Sequence, residues 1–400
     1  MARKLKSIPA ELDSAIAAAD ALAADAQIAR LRAERDSYRG RYKAALAAIE
    51  AERGRGDMLA GLSNIKPTRT ALAGRKQGAK HAATVVVMLS DWHCEELVDP
   101  ATVNFRNAYN LEICERRVAE LTARFSALLE HERRLADIRR VVVWLGGDFI
   151  TGHIHEDCIE VAQLAPMGAL QFAGGLIRGF LDTVAGMSES VIVATNSGNH
   201  GRSNAGKMRI ATELDHSFEQ FLYLQMRAQE QCKNVEWRVG EGYLNYIDLD
   251  GFLIRFHHGH AIRYSGAGVG GITIPVNKSI AAWDKATPAD LTCFGHYHQF
   301  QWLRGGRYVA NGSLIGSSAY STVVCKGENE PPCQSFLVID HGRQEVTRAY
   351  PIFVDRDLRE GGKCSPISNS KKRSSGRGVS AARIREPAAR LRRIRSGKSK

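Results

Sequence analysis

Aspartate, histidine and asparagine, side chains that hold divalent cations, recur in five short clusters along this 400-residue chain. In order they are Ser90-Asp91-Trp92-His93, Gly146-Gly147-Asp148, Asn196-Ser197-Gly198-Asn199-His200, His257-His258-Gly259-His260 and Gly295-His296-Tyr297-His298. Carboxylate, imidazole and amide oxygen together suit borderline cations, manganese first, with iron, zinc, cobalt or nickel as alternatives. None of the five clusters contains cysteine, which argues against a structural zinc site. Asp91-x-His93 and His296-x-His298 have the period-two spacing at which side chains of an extended segment point the same way. Glycine before Asp148, Asn199 and His296 permits the tight backbone of a strand-to-loop reversal. Each cluster alone is weak, since Gly-Asp is commonplace and Gly-Asn-His is usually a turn. Their succession, each behind its own apolar run, is a strong signal.

Those apolar runs are the elements that must position the clusters. Thr84–Leu89, Val141–Leu145, Val191–Thr195, Phe252–Phe256 and Leu291–Phe294 read as buried strands. Helical segments over 111–136, 166–186 and 208–231 lie between several of them, and Tyr308–Ser313 and Phe336–Asp340 read as later strands. Strands alternating with helices predict an α/β architecture. Loops at strand ends are where such folds place their sites.

The flanks differ in composition. Residues 11–50 contain no proline and one glycine, Gly40, and favour helix. Ile28, Leu31, Tyr38, Tyr42, Ala45 and Ile49 form an apolar stripe that Arg35 interrupts; a short coiled coil, a helical hairpin and a helix packed on the body all fit it. The reading is therefore a helical or coiled-coil-like segment over 1–51, capable of self-association through 11–50. A linker follows over 52–82, then a body over 83–355 and a basic tail over 356–400. Residues 361–400 carry 13 Lys or Arg against one acid, Glu386, which accounts for the whole +12 of the chain. Such a tail is expected to be disordered alone, with a helical patch around Ala381–Arg395 forming on a polyanion. Nucleic acid is the expected partner.

The apolar share of 44% allows a substantial core. No stretch approaches the roughly 20 apolar residues of a membrane span. Glu11, Asp13, Asp20 and Asp25 break up the alanine-rich start, so it is not read as a secretory signal. The expected location is the cytoplasm, of a bacterium or of a phage-infected host cell. The eight cysteines form no Cys-x-x-Cys pair and are read as packed, reduced thiols.

Over about residues 83–320 the ordered series resembles the calcineurin-like metallophosphoesterase family: Asp-x-His, Gly-Asp, Gly-Asn-His, a His before Gly, and Gly-His-x-His. The resemblance implies a four-layer fold, two mixed β-sheets sandwiched between helices, with a dinuclear site at the sheet edge. By position it implies that Asp91, His93 and His298 hold one metal, that Asn199, His258 and His296 hold the second, and that Asp148 bridges both. Ions about 3.5–4 Å apart generate a hydroxide and clamp phosphoryl oxygens during in-line attack. His200 would stand just outside the ligands and protonate the departing oxygen or stabilise its charge. The resemblance extends to the DNA-repair exonuclease-like branch, and Asp91-Trp92-His93 and Gly198–Arg202 look like bacteriophage versions.

Two departures stand out. Many family members place an acid directly after the Gly-Asn-His histidine, where this chain has Gly201-Arg202; Arg202, with Lys207 and Arg209, suggests an anion-binding loop instead. Among His257, His258 and His260 the family pattern favours His258, with His257 facing the other way and His260 outside the ligand sphere. His153 and His155, with Glu156 and Asp157, are candidates for touching substrate or orienting ligands, or else loop residues and helix caps. Asn311-Gly312-Ser313 reads as a structural turn, and Trp92 as packing before floor or stacking surface. The function expected is a phosphodiesterase or nuclease acting on nucleic acid. The alternatives are a phosphomonoesterase on a nucleotide or phosphoprotein, and a non-catalytic nucleic-acid-binding protein.

Overall fold

The computed structural model describes residues 8–63, 80–204, 208–262, 271–323 and 331–355. The chain falls into two compact units, Met1–Gly78 and Ala79–Lys400. In the first, the described residues form one helix, α1 (Ile8–Ser63), 56 residues long. It passes through Gly40 without a turn, so the hairpin alternative is excluded. It also continues beyond residue 51, so residues 52–63 of the expected linker are helical. Residues 64–79 of that linker lie outside the described residues, as does the basic tail beyond 355 with its 381–395 patch.

The second unit runs β1 (Ala82–Leu89), α2 (Leu111–Arg133), β2 (Asp137–Leu145), α3 (Glu156–Val161), α4 (Pro166–Met187), β3 (Ser190–Thr195), α5 (Phe218–Ala228), β4 (Val235–Arg238), β5 (Asn245–Leu249), β6 (Phe252–His257), α6 (Thr273–Trp283), β7 (Leu291–Phe294), β8 (Gln301–Leu303), β9 (Tyr308–Ala310), α7 (Ala319–Val323), β10 (Cys333–Asp340) and β11 (Glu345–Phe353). Six strands form one sheet in the order β11-β10-β1-β2-β3-β4, and five form the other, β5-β6-β7-β9-β8. β1 to β4 are mutually parallel; at one side β10 runs antiparallel to β1 and β11 antiparallel to β10. In the smaller sheet β6, β7 and β9 are parallel. Parallel strands end at a common edge, and that edge receives the clusters.

The continuous apolar runs are explained by burial on both faces. In β1, Val85, Val87 and Leu89 pack with Phe125 of α2 and Ile177 of α4, while Val86 and Met88 turn to the other sheet. Between the sheets Trp144 stacks on Phe256 at 5.7 Å between ring centres. On the outer face of the smaller sheet Phe294 and Tyr308 meet Val276 and Ile280 of α6. Helices, sheet, sheet and helix make four layers, the α/β class that the sequence predicts and the layering that the resemblance implies.

The helix expected over 208–231 is shorter. Two 3-10 turns, Ile210–Thr212 and Leu214–His216, precede α5. The helix starts only where the Ser217 hydroxyl accepts from Gln220 N–H (3.1 Å) and caps it. Strands β4, β5 and β8 escape the sequence reading because they are short and partly exposed, and the longer β11 because its residues are mostly half-buried. Among the described residues no helix is long and apolar enough to cross a membrane.

Candidate metal centre

The five strand-end loops converge. One ligand atom each from Asp91, His93 and His298 lie within 4.8 Å of one another, and so do those of Asp148, His258 and His296. His93, Asp148 and His200 form a third such group, which joins the other two. Asn199 belongs with the second trio, since its Oδ1 lies 3.1 Å from His258 Nε2. His258 Nε2 is 2.9 Å from Asp148 Oδ2, and His298 Nε2 is 3.4 Å from Asp91 Oδ1. Asp91, His93, Asp148 and His258 are buried.

The backbone bends to achieve this. Asp91 (φ 57°), His93 (φ 47°), Asp148 (φ 52°), His296 (φ 71°) and His298 (φ 58°) all occupy the left-handed region. The extended spacing expected for these pairs is not what the structure has: β1 ends at Leu89 and β7 at Phe294, before either pair begins. In Asp91/His93 and in His296/His298 both residues carry left-handed backbone, so neither pair sits on an extended segment. The loops interlock through Asp91 N–H to Gly147 O (2.9 Å), His93 N–H to Asp148 O (3.1 Å) and Gly295 N–H to His258 O (2.7 Å). Gly147 and Gly198 approach so closely that a Cβ on Gly198 would lie 2.1 Å from Asp148 Oδ1.

Hydrogen bonds set the rings. His258 Nδ1–H donates to Gly146 O (2.7 Å), and His200 Nδ1–H donates to Thr151 O (3.0 Å). Both rings therefore have Nε2 left for the site. Thr151 Oγ–H donates to Glu96 (3.2 Å), so His93 Nδ1, 3.2 Å from the same hydroxyl, must be the donor to it. His93 Nε2 is then a bare lone pair, buried and without a hydrogen-bond partner. Beneath Asp91, Asn311 Nδ2–H donates to Ser90 Oγ (2.9 Å), and Ser90 in turn donates to Asp91 Oδ2 (2.5 Å). Two buried glutamates pin the surrounding backbone. Glu95 accepts from Thr151 N–H (3.0 Å) and Gly152 N–H (2.8 Å), and Glu219 from Phe149 N–H (2.7 Å) and Gly198 N–H (2.8 Å).

Electrostatics follow from burial and crowding. Burial, with His200 and His298 adjacent, holds His93 well below the usual imidazole range, and burial does the same to His296. Burial also works against a charged His258, but the Asp148 carboxylate overrides it and raises the ring to about 10. Burial works against ionising Asp148, yet His258 and His200 hold it well below the usual carboxylate range. A lone-pair nitrogen with no partner, two carboxylates and an amide oxygen gathered within one cluster fit divalent cations.

Other expected residues fall into place or out of it. Arg202 is half-buried and donates to Asn199 O (3.1 Å), beside the cluster. Arg209 is exposed, and Lys207 lies outside the described residues. His257 faces away, stacked on Phe294 at 5.3 Å. His260 pairs with Glu213 (3.2 Å) at the rim. His153 and His155 are exposed, and His155 makes no side-chain cap for α3, so neither joins the cluster. Trp92 is packing: it lies edge-on to Phe149 and donates to Gln334 Oε1 (3.2 Å). Nothing in the sequence singles out Glu95, Thr151 and Glu219, because acids and hydroxyls beside turns ordinarily read as caps.

No protein-family model matches the chain, and no curated protein matches it. Solved structures do match. An archaeal phosphodiesterase is 10% identical with a TM-score of 0.30, over 67% of this chain and 99% of its own. A Streptococcus pneumoniae protein described as a predicted phosphoesterase is 12% identical with a TM-score of 0.28, over 68% and 98%. A putative 5'-nucleotidase from Staphylococcus aureus is 12% identical with a TM-score of 0.31, over 70% and 58%.

Proposed function

We propose that this protein is a metal-dependent phosphoester hydrolase of the calcineurin-like type, acting on phosphodiesters of nucleic acid. The observation that carries the reading is the gathering of Asp91, His93, Asp148, Asn199, His258, His296 and His298 from five strand-end loops, five of them held at positive φ. Backbone strain of this kind persists where a site demands it.

Asp91, His93 and His298 would hold one divalent cation, Asn199, His258 and His296 the other, with Asp148 between them. When bound, such a pair supplies Lewis acidity to the phosphoryl group and makes water a competent nucleophile at neutral pH. The protein's own groups do the rest. His200, fixed by Thr151 O, keeps Nε2 beside His93 and Asp148 and, when protonated, gives its proton to the departing oxygen. Arg202, tethered to Asn199 O, places a fixed positive charge beside the site for a phosphate oxygen. The +12 of residues 361–400 supplies salt-dependent, sequence-independent attraction to a polyanion.

The test offers the manganese-loaded protein bis-p-nitrophenyl phosphate, p-nitrophenyl phosphate and linear DNA in parallel. The diester and DNA should be cleaved, and His200→Ala should lower kcat by about 10²–10⁴-fold with bound metal unchanged. Turnover of the monoester alone would replace the diester reading with a phosphomonoesterase. No turnover with any divalent metal would overturn the hydrolase.

A further inference from the structure

Glu219 stands in the first turn of α5, outside every cluster that the sequence marks, yet its side chain is fully buried. Its two oxygens do not serve its own helix, which Ser217 caps. One accepts from the N–H of Phe149, the residue after Asp148; the other accepts from the N–H of Gly198, the residue before Asn199. A single carboxylate thus fastens the two loops that bring Asp148 and Asn199 together. His200 is tied into the same knot, since its N–H donates to Asp148 Oδ1 (2.8 Å).

The space for this carboxylate is left by Gly201. A Cβ there would lie 2.7 Å from Glu219 Cγ and 2.8 Å from its carboxyl carbon. Gly201 is not in the left-handed region, so its backbone conformation does not itself demand glycine. The glycine is needed because an acid enters the space from the opposite wall. A buried carboxylate is costly unless its oxygens are well bonded, and removing it would leave two buried N–H groups without acceptors.

We infer that Glu219 is a positioning residue of the metal centre, an acid delivered from α5 into the space beside Gly201 that holds the Asp148 and Asn199 loops at cation-binding separation. The inference rests on the hydrolase reading and deepens it. An acid placed at 201, with 219 cut back, should put a carboxyl group into the same space from the other side.

The experiment compares full-length wild type with Glu219→Gln, Glu219→Ala, Gly201→Asp and the double variant Gly201→Asp/Glu219→Ala. Manganese affinity is read by calorimetric titration, folding by thermal melting without metal, and kcat and KM on bis-p-nitrophenyl phosphate. Glu219→Gln keeps one acceptor and turns an amide N–H₂ on the other donor; its manganese affinity should fall about 10–100-fold. At saturating metal kcat should fall while KM stays near the wild-type value, because Glu219 meets no substrate. Gly201→Asp alone should also lose affinity through the clash, and the double variant should recover most of what Glu219→Ala loses. Wild-type affinity and kcat in Glu219→Gln would overturn the inference. So would a double variant no better than Glu219→Ala, which also decides the matter if the single variants fail to fold. A wild type that binds no metal and cleaves nothing removes the hydrolase reading, and this inference with it. A normal wild type with an indifferent Glu219→Gln removes this inference alone.

Discussion

Five of the seven residues proposed to hold metal carry left-handed backbone, at about 1–2 kcal/mol each for non-glycine residues. What opposes that cost is local: the N–H of His296 donates to both oxygens of Asp91 (3.0 and 3.1 Å), and those of Asp91 and His93 are bonded to the Asp148 loop. His258 adds a pH-dependent term. Without metal its ring is raised from 6.5 to about 10 by Asp148 against the effect of burial. With Asp148 ionised, the His258 contribution to the metal-free fold is therefore fully present just below pH 6.5 and is lost as pH rises toward about 10, while the Asp148 contribution is lost in acid as its carboxylate takes up a proton. A cation must displace that proton, so manganese affinity, titrated calorimetrically at successive pH values through this window, should tighten as pH rises. An affinity independent of pH would contradict the pairing. The residues that the structure clusters were legible in the sequence because Asp, His and Asn stand out by type. Glu219, Glu95 and Thr151 were not, because they act through backbone N–H and C=O groups that any sequence possesses.

At the level of elements, the site depends on two loops packed backbone to backbone. Gly198→Ala places a methyl 2.1 Å from Asp148 Oδ1, and the carboxylate must move. Manganese affinity should drop more than about tenfold while the sheets, built elsewhere, keep their far-ultraviolet circular dichroism. Wild-type affinity in this variant would mean that the loops are not held in the described contact. β1, β2, β3, β6 and β7 could be read from the sequence to within a few residues because both faces of their sheets are covered, leaving no polar interruption. β4, at the sheet edge, alternates half-buried and exposed residues over only four positions, too few for a pattern to stand out. The 3-10 turns ahead of α5 were invisible for a related reason: their composition is helical, and the Ser217 cap decides where the helix begins.

At the scale of the whole chain, α1 presents Ile28, Leu31, Tyr38, Tyr42 and Ile49 to solvent along a 56-residue helix. Helices of this composition derive most of their stability from covering such a stripe. The full chain should run as a dimer by light scattering, and removal of residues 1–63 should yield a monomer that still binds metal. A monomeric full chain would discard the stripe as a self-association surface. The metal centre proposed in the other unit is tested by the metal content of the protein loaded with manganese and dialysed, read by inductively coupled plasma mass spectrometry. About two ions per chain are expected in wild type, by the two-metal geometry, and near-complete loss in Asp148→Ala, with Asp91→Ala keeping part of the second ion. Equal residual metal in the two variants, or a wild type that holds none, would contradict the shared-carboxylate centre.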